Sequence, residues 1–189
     1  MKAVLISIQP KWCELIASGK KTVEVRKTKP KLETPFKVYI YCTKKKNEDE
    51  YGKTLVFCED DDGVCEENGK RFSPLETGKV IGEFVCNEVV EFKNYCDSPW
   101  YDDAFMETFN LSCVGYEELA LYLGKKDFGY GWHISDLVIY EEPKALSEFI
   151  KLCNHANDCC TCDRYDYIGH KCYNEIKRPP QSWCYVEEG

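Results

Sequence analysis

The sequence predicts an α+β fold: a small, mostly antiparallel β-barrel with short peripheral helices and a cysteine-rich segment near the C-terminus. Three observations lead there. Several apolar runs have the length and composition of strands, from residues 3–8 to a closing run at 182–187. The two or three short helical patterns between them are too few to supply the regular crossovers of a parallel sheet. The 189 residues are 43% hydrophobic and 14% aromatic, enough for one compact core.

Residues 3–8 form the first strand. Their apolar run is short and meets Pro10 and Lys11, which suits a buried strand and not a signal peptide. Pro10 opens a helix at the first helical position, where a missing N–H costs nothing. Trp12, Leu15 and Ile16 give that helix its apolar stripe, and Gly19 ends it. Residues 22–26 alternate, with Val23 and Val25 on one face and Thr22, Glu24 and Arg26 on the other. Residues 36–43 make another strand. Residues 44–78 read as an acidic insertion, opened by Lys44-Lys45-Lys46 and holding a short strand at 54–58.

Residues 80–92 carry a long strand signal with a bend at Gly82, and 94–112 give no clear pattern. A short helix at 116–123 stops at Gly124. Gly129-Tyr130-Gly131-Trp132 reads as a turn leading into a strand that continues to Tyr140. Pro143 starts a further helix with Leu146, Phe149 and Ile150 on its buried face. The domain organisation is therefore 1–152 for the main domain, 153–181 for the cysteine-rich segment and 182–189 for the closing strand of the barrel.

Charge is unevenly spread. Residues 1–46 hold twelve Lys/Arg against three Asp/Glu, a net +9, in a chain whose net charge is −8. An acidic protein repels nucleic acid at long range, but a local basic patch attracts phosphates within a Debye length of about 10 Å. This argues against a large duplex-DNA footprint and leaves room for a single-stranded or nucleotide-sized partner. No stretch approaches 18 uninterrupted apolar residues, so the sequence predicts no membrane-spanning helix.

Residues 19–26 read Gly-Lys-Lys-Thr-Val-Glu-Val-Arg, a G-x-K-x-x-E-x-R pattern through Gly19, Lys21, Glu24 and Arg26. Glu24 and Arg26 are two apart on a strand and share a face, and Lys21 reaches that face from the helix–strand junction. A lysine, a carboxylate and a guanidinium in one hollow make a phosphate clamp with a proton acceptor. The plain alternative is a surface ion pair worth about 0–1 kcal/mol. Trp132, after the glycine turn, is either a stacking platform or core; Trp12 fits the helix stripe and reads as core. Tyr39 and Tyr41 share a face of the third strand and are candidates to flank the cleft, and Glu83 is a candidate second carboxylate.

With the preceding Gln9-Pro10-Lys11-Trp12, the later Gly82-Glu83-Phe84 and the strand from Trp132, this pattern resembles the ASCH family, whose barrel is related to the PUA domain. The resemblance covers residues 1–150 and the closing strand. It implies a cleft that takes RNA or a nucleotide, lined by Gly19, Lys21, Glu24, Arg26 and Trp132. One branch of that family looks like a hydrolase of acetylated cytidine using a lysine, a threonine and a glutamate. Here Glu24 stands where that threonine would be, so its mechanism does not carry over.

Of thirteen cysteines, six fall in residues 153–189. Without a secretory signal, a disulfide framework is unsuited to them. Cys159 and Cys162 form a C-x-x-C pair. With Cys153 and Cys172 they supply four soft ligands for a tetrahedral structural zinc, Cys160 or His170 being substitutes. Unmetallated thiols and a redox role are the other readings. No organic cofactor is indicated.

The leading functional reading is a cytoplasmic RNA- or nucleotide-binding module. The second is a hydrolase of a modified nucleoside or of RNA in the same cleft, with Lys21 and Glu24 as its catalytic, proton-handling pair. The third is a zinc-stapled protein-interaction adaptor.

Overall fold

A computed structural model of the chain describes residues 1–44, 66–67, 70–71, 75–94, 103–151 and 174–187. The expected strand at 54–58, the run Lys45-Lys46 and Cys153, Cys159, Cys162 and Cys172 lie outside the described residues.

The strands are β1 (Lys2–Ile8), β2 (Val23–Arg26), β3 (Phe36–Cys42), β4 (Glu66–Glu67), β5 (Lys70–Arg71), β6 (Val80–Lys93), β7 (Phe128–Lys144), β8 (Ile150–Lys151), β9 (Asn174–Glu175) and β10 (Trp183–Glu187). The helices are α1 (Pro10–Ala17), α2 (Asp103–Ser112) and α3 (Tyr116–Leu123). Eight strands form one mixed sheet in the order β2-β7-β6-β3-β1-β10-β8-β9, and β4 and β5 pair separately. The β1–β3 pair is parallel and the other pairs of the large sheet are antiparallel.

The expected barrel does not close. Closure needs the two edge strands to pair with each other. Here β2 is only four residues long, and α2 occupies its outer side: the Thr22 N–H donates to the Leu111 carbonyl at 3.1 Å. The opposite edge, β9, has two residues. The long strands β6 and β7 curl the sheet through three register shifts, without bringing its edges into one ladder.

Two cores follow from the alternation of β1. Val4, Ile6 and Ile8 face a cluster with Cys13, Ile16, Phe36, Val38, Ile40, Phe84 and Trp132. Ala3 and Leu5 face a second with Tyr39, Tyr41, Phe149, Ile176 and Val186. A strand buried on both faces reads as a continuous apolar run, as β1 does. α2 and α3 pack Phe105, Leu119 and Leu123 against Val25 and Phe92 in a third cluster.

Several expectations are corrected. The unplaced stretch 94–112 contains α2. Gly129 to Trp132 is no turn but the start of β7, paired with both β2 and β6. A Cβ at Gly129 would lie 2.4 Å from the Phe92 ring, and one at Gly131 would lie 2.8 Å from Thr108 Oγ1. These glycines make room for neighbouring side chains. Pro143 starts no helix: β7 runs through it to Lys144, and only a 3-10 turn follows at Leu146–Glu148.

Candidate functional site: a buried charge cluster in an aromatic-walled pocket

The helix α1 ends at Ser18, and Gly19 takes the left-handed conformation (φ +74°) that glycine adopts at low cost. Its N–H donates to the Ile16 carbonyl at 2.9 Å, and that of Lys21 donates to the Leu15 carbonyl at 2.9 Å. This wrap turns the chain back beneath α1 and directs the Lys21 stem inward. Gly19 is therefore a capping residue; it is exposed and does not line the pocket described below.

Lys21, Glu24 and Arg26 converge. Lys21 Nζ lies 3.3 Å from Glu24 Oε2, and Arg26 Nη2 lies 2.9 Å from Glu24 Oε1. The three residues are 2%, 5% and 7% exposed, which excludes a solvated surface pair. Each cation has a second partner. Lys21 Nζ donates to the Ser112 carbonyl at 2.6 Å, an unpaired acceptor at the C-terminus of α2, where positive charge is favoured. Arg26 Nη2 donates to the Ser7 carbonyl at 2.7 Å. Buried charges persist only when paired and hydrogen-bonded in this way. Burial pushes the Lys21 pKa below the usual lysine range, and the adjacent Glu24 carboxylate opposes that shift.

The cluster faces a pocket of about 350 Å³. Ser7, Ile8, Glu24 and Arg26 line it from the sheet; Trp12 of α1 and Tyr122 of α3 contribute aromatic rings, and Pro179-Pro180-Gln181 forms another wall. That wall is pinned by Ser7 Oγ donating to the Pro180 carbonyl at 2.7 Å. Lys21 Nζ is 5.2 Å from the centre of the Trp12 ring. At the rim, the half-exposed Lys11 and Glu118 pair across α1 and α3, and Lys11 Nζ sits 4.2 Å over Trp12. Counting Lys11 and Glu118, three cations face two carboxylates.

Comparison with known proteins agrees with this architecture. The sequence model of the ASCH domain family matches residues 6–183. The chain belongs to the ASCH domain family. Among solved structures it is similar to the crystal structure of ASCH from Zymomonas mobilis, with a TM-score of 0.57 and 17% identity over 98% of this chain and 88% of that one. A serine-to-alanine variant of the same bacterial protein gives 0.57 and 16% over 98% and 89%. A tyrosine-to-phenylalanine variant gives 0.56 and 17% over 100% and 92%. No curated protein matches the chain.

The other sequence-derived candidates of this ASCH chain fall elsewhere. Trp132 is fully buried, packed edge-on to Phe36 at 5.7 Å and against Trp183 at 6.0 Å, so it is core and no stacking platform. Trp12, expected in the core, packs against the first core cluster but is only partly buried, and it also lines the pocket. Tyr39 and Tyr41 belong to the second core. Glu83 is bound by Lys37 at 3.0 Å and by the Tyr140 hydroxyl at 2.5 Å, away from the pocket. Burial raises its pKa, but the hydrogen bonds from Tyr140 and Lys37 prevail and hold it below the usual range.

Tyr122, Glu118, Gln181 and the Ser112 carbonyl were not foreseen as parts of the site. A signal existed for α2: Phe105, Thr108, Phe109 and Ser112 recur at helical spacing. Among the described residues no group of three or more His, Cys, Asp or Glu side chains is placed to hold a metal, and no helix is long and apolar enough to cross a membrane.

Proposed function

We propose that this ASCH protein binds RNA or a nucleotide in the pocket over Lys21, Glu24 and Arg26. The observation that carries the reading is the buried cation–carboxylate–guanidinium cluster beside an aromatic-walled hollow. A pocket of about 350 Å³ lies at the small end of ligand sites, which suits one nucleotide and not a duplex. Trp12 and Tyr122 put aromatic rings on the pocket wall, and a base would stack there by displacing the lysine ammonium now over the ring, Lys11 on Trp12 or Lys27 on Tyr122. Arg26 and Lys21 offer donors to a phosphate or a base edge, and Glu24 accepts from an exocyclic amine. The free thiols Cys13, Cys42, Cys86, Cys113 and Cys184 support a reducing, cytoplasmic setting.

Calorimetric titration with the four ribonucleoside monophosphates and a short single-stranded RNA tests the proposal. Binding by the wild type, lost in Arg26→Gln but retained in the distant Lys37→Gln, is the expected result. Absence of binding by the folded wild type overturns it.

A second reading is hydrolysis of a modified nucleoside or of RNA in the same pocket. The lowered pKa of Lys21 favours it, since a buried amine 3.3 Å from a carboxylate gives up its proton more readily than a solvated lysine. Water would be the nucleophile. Product analysis after incubation with acylated nucleosides and with RNA tests it; activity unchanged in Glu24→Gln removes Glu24 from the role.

A further inference from the structure

The segment that leaves the pocket carries a row of lysines. Lys27, Lys29 and Lys31 are exposed, whereas Arg26 and Pro30 are buried. The row is anchored at successive points. Arg26 holds the Ser7 carbonyl, Thr28 Oγ1 accepts from Trp183 Nε1 at 3.1 Å, and the Lys31 N–H donates to the Tyr185 hydroxyl at 2.7 Å. Trp183 and Tyr185 pair with Ile6 and Val4 of β1. The segment thus descends from the level of Ser7 to that of Val4, about 10 Å at roughly 3.3 Å per residue.

Tyrosines from three elements accompany the row. Lys27 Nζ lies 5.1 Å from the Tyr122 ring centre, and Tyr122 is also a pocket wall, so row and pocket are continuous. Lys29 Nζ lies 5.2 Å from the Tyr130 ring centre, with Glu91 at 3.9 Å. Beyond Lys31, Lys2 Nζ lies 5.9 Å from the Tyr185 ring centre. Tyr122, Tyr130 and Tyr185 are all partly exposed. In a chain of net charge −8, a basic row with interleaved aromatic rings is a local exception. Lysines that track phosphates beside rings that accept bases are the chemistry of single-strand binding.

We propose that the partner is a single polynucleotide strand and not a free nucleotide: one nucleotide occupies the pocket, and the phosphates of its neighbours pass over Lys27, Lys29 and Lys31. This rests on the pocket reading above and extends it to the size and path of the ligand.

The test compares uridine 5′-monophosphate with an oligouridylate dodecamer and its DNA counterpart, using the full chain at about 50 and 200 mM salt. The dodecamer is expected to bind at least about tenfold more tightly than the monophosphate. Three single-strand phosphate contacts at roughly 0.7 each put about 2 into the slope of log K against log salt. The Lys27→Ala/Lys29→Ala/Lys31→Ala variant should lose that slope and bring the ratio of dodecamer to monophosphate affinity towards one. RNA and DNA binding equally assigns the row to the phosphodiester backbone; a preference for RNA adds a contact to the ribose. Either is compatible with the strand path.

Monophosphate binding without any gain for the dodecamer overturns the strand path and leaves the pocket reading standing. A triple variant with the wild-type slope and ratio overturns it too. If neither ligand binds, both proposals fall. If polyglutamate of matched charge competes as well as the dodecamer, the row reads charge alone, an acidic protein is its partner, and the strand path is overturned.

Discussion

Arg26 Nη2 donates to the Ser7 carbonyl at 2.7 Å although three strands of the sheet, β7, β6 and β3, separate β2 from β1. A side chain therefore spans the curl that no backbone ladder closes. The same guanidinium holds Glu24 at 2.9 Å, so one group serves the seam of the fold and the floor of the pocket.

Arg26→Met should accordingly be costly. It leaves the Ser7 carbonyl without this donor and leaves Glu24 to Lys21 alone. Removing one partner from a buried charge cluster costs about 3–5 kcal/mol. Urea unfolding of wild type and variant measures the difference; a loss below about 1 kcal/mol would show that the seam does not depend on this contact.

Lys21 gives the chain a pH signature. Its pKa is lowered by burial, so the folded state releases the proton before the unfolded state does. Between the folded value and the ordinary lysine value the unfolded chain binds more protons, and stability rises with pH. The gain is complete above the ordinary value and is lost as pH falls through the folded one. Lys21→Met removes this contribution while Glu24 keeps Arg26. Stability curves of the two proteins should converge as pH is lowered through that window and separate as it is raised, the wild type gaining. Parallel curves there would mean that Lys21 titrates as a solvated lysine.

The sequence disclosed the site where its signals are local. Pro10, Gly19 and the alternation of residues 22–26 fix a helix, its cap and a strand within seventeen residues, and these place Lys21, Glu24 and Arg26 on one side. What stayed hidden depends on distant partners. α2 buries Thr108 and Ser112 along with Phe105, so two of its three buried residues are polar and its helical spacing carries little apolar signal. Trp132 suits a platform or a core equally well until Phe36 and Trp183 are seen around it. Whether a curled sheet closes is decided by what reaches the outer side of β2, and no pattern within β2 carries that information.

Gly82 tests the close approach of β6 and β7. A Cβ there would lie 2.4 Å from the Val138 carbonyl oxygen, which belongs to backbone and cannot swing aside. Gly82→Ala should destabilise by about 1–3 kcal/mol through overpacking. Thermal unfolding followed by circular dichroism measures it. An unchanged midpoint would mean that the two strands separate freely at this point.

We propose, from the sequence alone, that Cys153, Cys159, Cys162 and Cys172 hold a zinc ion. Four thiolate ligands would fill a tetrahedral shell, so such a zinc would be structural and leave no position open for substrate. Metal analysis of the purified chain should find about one zinc per molecule, reduced by serine substitution at Cys159 and Cys162. A ratio well below one in the wild type dismisses the site.

Trp12 and Trp132 separate the pocket from the core in one optical experiment. Trp12 is half-buried, lines the pocket and carries Lys11 and Lys21 near its ring. Trp132 is sealed from solvent. A nucleotide that stacks in the pocket should change the emission of Trp12 and leave that of Trp132 alone. The ligand-dependent change should therefore vanish in Trp12→Phe and persist in Trp132→Phe. Trp12→Ala should weaken nucleotide binding by about 1–3 kcal/mol, the value of one stacked base. A full fluorescence response in Trp12→Phe, with affinity unchanged in Trp12→Ala, would move the base away from α1 and leave Tyr122 as the ring it meets.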